Sequence, residues 1–210
     1  MERGTSLEEA KKIFGKGLIG PDELLRFSKQ MGIKASAKKI PIIPYSPLEL
    51  RKYSEDYLLV LGTSTMTSGD PLSLLSLRAH FGVDPDVFEP CFYNQDWYLK
   101  ENFMTDPLTD EWYMVRKSVF QNTRAQNPEQ ISAEFKLPSA VQCAYAFFMN
   151  YFSTSEYLWE HDFVWCNDKD HNGDKIYVGK YNDLTGLNKN GFSIHRHLAL
   201  RQWYGFIDTI

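Results

Sequence analysis

Residues 168–174 read Asp-Lys-Asp-His-Asn-Gly-Asp, with oxygen-bearing side chains at alternate positions before a glycine. A calcium loop of EF-hand type takes oxygen ligands from its first, third and fifth residues. It needs glycine at the sixth and a bidentate glutamate at the twelfth. Counted from Asp168, the residues Asp168, Asp170, Asn172 and Gly173 meet that pattern. Lys175 then stands where an aliphatic residue belongs, and Gly179 where the glutamate should be. Asp174 or Asp183 would have to complete coordination. The candidate metal set is therefore Asp168, Asp170, Asn172 and Asp174, with calcium as its cofactor. The competing reading is a β-hairpin in which Asn172-Gly173 supplies the positive φ angles of a type I′ turn. The broken second half of the calcium pattern favours the turn.

His195-Arg196-His197 is the second pattern with chemistry in it. On a strand, residues two apart share a face, so both imidazoles could hold a transition metal as the alternative site. A third ligand would come from His161, His171 or a carboxylate. That arrangement would make a metal-dependent enzyme, but the chain has no His-Glu-x-x-His and offers no obvious general base. Cys91, Cys143 and Cys166 are an odd count without a Cys-x-x-Cys pair, which argues against a disulfide framework or a thiolate zinc cluster. Cys91 and Cys166 lie among apolar residues, where a free thiol is an inert core group.

The elements that must position these residues read as an α+β protein. Ser6 with Glu9 three residues on opens a first short helix, and Gly20-Pro21 opens a second that Gly32 closes. Together they predict an N-terminal helical hairpin, residues 1–40, packed on a main domain, 48–210. Pro41, Pro44 and Pro47 mark the link between them. Residues 57–62 read as a buried strand, 63–70 as a hydroxyl-rich turn, 71–80 as a helix and 112–120 as strand-like. Pro138-Ser139 opens a long helix near 138–159. Short aromatic strands at 163–166, 175–181 and 191–198 then form an antiparallel sheet in the second half.

The chain has 210 residues, 43% hydrophobic and 24% charged, which suits a folded soluble domain. Residues 1–52 carry 11 Lys and Arg against 6 Asp and Glu, whereas 53–111 carry 2 against 11. The basic segment offsets the acidic one, and its short clusters such as Lys38-Lys39 argue against nucleic acid as a partner. The polar start and the lack of any apolar run of spanning length predict no membrane contact and a cytoplasmic location.

From Leu137-Pro-Ser-Ala140 onward, the segments Tyr157-Leu-Trp159, Phe163-Val-Trp-Cys166 and Asn190-Gly-Phe-Ser-Ile-His-Arg196 resemble bacterial modules of the C-type-lectin-like fold. The resemblance covers the last third of the chain. The paired cysteines of animal lectins are absent, and no glycine-rich tryptophan segment precedes the closing strand. It implies a surface for sugars or proteins, sometimes with calcium. The expected function is a non-catalytic binding module for a carbohydrate or protein ligand. A His-x-His metal enzyme and a structural, phage-type assembly protein are the alternatives.

Overall fold

The computed structural model describes residues 4–34, 40–182, 190–196 and 200–210, an α+β arrangement of helices and two mainly antiparallel sheets. Helix α1 (Leu7–Phe14) starts at Ser6, whose hydroxyl accepts from the Glu9 amide. Strand β1 (Leu18–Ile19) follows, then α2 (Pro21–Met31), closed by Gly32 at φ 62°. After α3 (Pro47–Tyr53), strand β2 (Tyr57–Leu61) is buried along its whole length. Helix α4 (Leu74–Phe81), β3 (Trp112–Arg116), the single turn α5 (Pro128–Ile131) and α6 (Ala140–Thr154) lead to β4 (Phe163–Lys169), β5 (Lys175–Tyr181), β6 (Gly191–Arg196) and β7 (Tyr204–Gly205).

The first sheet has the order β1-β2-β3, with β1 parallel to β2. Two residues between the N-terminal helices thus complete a sheet whose other strands lie in the following segment. Nothing in the local pattern marks so short a strand. The second sheet has the order β6-β5-β4-β7. Beyond β7 the chain returns to the first sheet, where the amide and carbonyl of Ile210 bond those of Met114.

Helix α6 is the centre of the core. Ten of its residues are buried, among them Phe147, Phe148 and Tyr145, whose hydroxyl donates to the Leu61 carbonyl at 3.2 Å. Phe148 stacks on Phe81 of α4 at 4.0 Å. A helix apolar on nearly all sides is one enclosed by other elements. It runs from Ala140 to Thr154 and ends earlier than residue 159, because Ser155 takes a left-handed conformation, φ 62°, and caps it. A second, smaller cluster of Leu137, Trp165, Tyr177, Tyr204 and Phe206 occupies the other face of the second sheet.

Strand β6 is an edge, and an uncovered edge invites pairing with other chains. Here residues 91–97 cover it. The Phe192 amide donates to Cys91, the Tyr93 amide donates to Phe192, and the Trp97 indole donates to the Ile194 carbonyl at 3.0 Å. Gly191 makes the approach possible: a Cβ there would sit 2.7 Å from the Cys91 oxygen. No helix among the described residues is long and apolar enough to cross a membrane.

Candidate functional site

The β4–β5 hairpin is present, but its turn differs from the type I′ geometry expected. Within 170–174 only Gly173 has a positive φ, 86°, and Asn172 does not. The Asp170 amide bonds the Asp174 carbonyl, and the Gly173 amide bonds the Asp170 carbonyl. This is a three-residue loop with glycine in the left-handed position. One glycine suffices because the extra residue lets the strands close without a second left-handed position.

The carboxylates of the loop are engaged by the fold itself. Asp168 Oδ2 accepts from the Ala140 amide at 2.7 Å, beside the N-terminus of α6, where a negative group is favourable. Burial pushes the Asp168 carboxyl up, against the pull of that amide. Asp170 Oδ1 accepts from the amides of Asn172 and Asp174 at 2.9 and 3.0 Å. Burial raises its carboxyl, but those amides and Arg196 outweigh it and leave the group below the usual range. Asp168 and Asp170 therefore spend oxygens on different backbone donors. Asp183 lies outside the described residues. Among the described residues no group of three His, Cys, Asp or Glu side chains is placed to hold a metal ion.

His195 faces the aromatic side of the sheet, stacked on Tyr177 at 5.4 Å with Phe163 edge-on. Its Nε2 lies 3.1 Å from the Ser193 hydroxyl, which donates to the Gly179 carbonyl, and Gln95 Nε2 lies 3.3 Å from Nδ1. That chain of bonds assigns the proton to Nε2. Burial pushes His195 down to about 4, so the ring is neutral at pH 7. Both nitrogens are occupied, and His197 lies outside the described residues. The three thiols are buried. Burial pushes Cys91 up to about 11 and Cys166 well up as well, which keeps both protonated.

A different constellation forms where the hairpin tip meets the segment covering β6. The Glu101 side chain is only 7% exposed. It accepts from the His171 amide at 2.9 Å and holds His171 Nδ1 at 2.6 Å. The His171 side chain is 65% exposed, and no hydrogen bond reaches its Nε2 among the described residues. The buried carboxylate assigns a proton to Nδ1, and in the neutral ring Nε2 is an acceptor. One residue earlier, Asp170 Oδ2 lies 3.5 Å from Arg196 Nη1. The Arg196 guanidinium is centred 5.2 Å from the Trp97 ring. His171 was legible only as a spare metal ligand. Arg196 entered only as part of the His195-Arg196-His197 run and of the segment closing the lectin-like resemblance, while Glu101 and Trp97 carried no signal, since their partners lie far away in sequence.

Comparison of the chain with protein-family models, curated proteins and solved structures finds no match.

Proposed function

We propose that the protein is a non-catalytic carbohydrate-binding module whose ligand meets the hairpin tip and the adjoining segment 95–101. The observation that carries this reading is the Glu101–His171 pair: a buried carboxylate fixes an exposed imidazole through its Nδ1. Around it lie the half-exposed Arg196 and the exposed, polar Asn172 and Asp174. Planar hydrogen-bonding groups held in place at the hairpin tip suit sugar hydroxyls, because little side-chain freedom is lost on binding. The resemblance of the last third to C-type-lectin-like modules supports the same reading.

A glycan array tests it. A bound glycan whose signal falls at least tenfold in His171→Ala, with the fold retained, is the expected result. Binding to no glycan, or binding indifferent to His171, would overturn it. One observation favours an enzyme instead: an imidazole backed by a carboxylate can take a proton from water. Turnover of the bound glycan would select that reading.

A further inference from the structure

We infer that Cys143 and Cys166 are a redox pair, two thiols that join as a disulfide tying helix α6 to strand β4. The inference does not rest on the carbohydrate reading above.

The fold lays the start of α6 along β4. The Ala140 amide donates to Asp168 Oδ2 at 2.7 Å, and the Asn167 amide donates to the Pro138 carbonyl at 2.9 Å. Cys143 stands one turn into the helix from Ala140, on the same side. Cys166 packs in the main core together with Val164, whereas Trp165 between them turns to the smaller cluster. The two thiols thus meet across the helix–strand contact, within hydrogen-bonding reach of each other. Both residues are fully buried. Cys91 lies elsewhere, on the segment covering β6, with its thiol on the Asn190 carbonyl at 3.6 Å.

Forming the bond breaks two S–H bonds and makes one S–S bond. Two electrons and two protons pass to a small-molecule disulfide, which leaves as two thiols. Only a thiolate attacks a disulfide, and burial keeps Cys166 protonated and both sulfurs out of reach while the fold is closed. Exchange therefore proceeds when α6 parts locally from β4, and reclosing buries the new bond away from reductants. The bond closes a loop of the chain between helix and strand, which removes freedom from the unfolded state and stabilises the fold. It also anchors the base of the hairpin whose tip carries His171.

Oxidised glutathione added to the whole protein, with and without urea below the unfolding transition, tests this. After unfolding and alkylation, mass spectrometry should find one alkylated thiol, Cys91, and a cross-linked pair of peptides holding Cys143 and Cys166. The melting temperature should rise by several degrees and fall back with dithiothreitol. Cys91→Ser should keep both results, whereas Cys143→Ala and Cys166→Ala should each lose them. Three alkylated thiols in both conditions, glutathione left on one of the paired sulfurs, or a bond that includes Cys91 would overturn the inference. So would a Cys143–Cys166 bond that brings no gain in melting temperature.

Discussion

Glu101 and His171, far apart in the chain, are joined by two hydrogen bonds, from the amide at 2.9 Å and from Nδ1 at 2.6 Å. One carboxylate therefore docks the hairpin tip onto the chain just beyond the segment that covers β6. Glu101→Ala leaves a partly buried amide without its acceptor, which costs about 1 kcal/mol. Urea denaturation should show that loss, and hydrogen exchange should accelerate at His171 and Asn172. Glu101→Gln keeps an acceptor for the amide and should lose less.

Asp170 makes the turn sensitive to acid. Its folded carboxyl lies below its unfolded value, so its stabilisation is complete above the ordinary carboxylate range. It disappears as pH falls through the folded value. Asp170→Asn keeps the Oδ1 acceptor for both amides and removes the charge. Its stability should depend less on pH below about 4 than that of the unaltered protein.

His195 acts over a higher window. The unfolded ring protonates near its ordinary value of 6.5, whereas the folded ring resists protonation until about 4. Its contribution is full above the unfolded value and is lost as pH drops between the two, by about 3 kcal/mol at most. Midpoints of urea unfolding at pH 7 and near pH 4 should differ accordingly. His195→Gln, which cannot titrate, should shrink the difference.

Trp97 shields the sheet edge with a side-chain donor. Trp97→Phe retains a ring beneath Arg196 but leaves the Ile194 carbonyl without its 3.0 Å partner. Replacement by water limits the cost to about 1 kcal/mol. Faster exchange confined to β6 would confirm the edge-covering role, and an unchanged exchange pattern would refute it.

Calcium should leave the melting temperature unchanged, because Asp168 and Asp170 already serve backbone amides. A calcium-dependent rise in Tm that Asp174→Ala removes would show that the tip rearranges around the ion.

Local chemistry fixed much of this protein in advance. Ser6, the Gly20-Pro21 step, Gly32 and Ser139 mark helix ends because capping is settled within a few residues. The apolar run at 57–61 and the aromatic runs around 163, 175 and 191 mark strands by the same short-range logic. The Asp168 loop was legible as a turn for that reason too, since a glycine with positive φ is a local requirement. What the loop's carboxylates do was not legible. Asp168 meets helix α6 and Asp170 meets Arg196 only after the sheet assembles. The same holds for His195, a ligand candidate on a bare strand and a neutral, partly buried ring once Tyr177 and Phe163 pack against it. Glu101, the residue that fixes His171, has no neighbour in sequence to announce its role. Spacing along the chain encodes caps and turns, whereas burial and long-range pairing decide which polar groups stay free to meet a ligand.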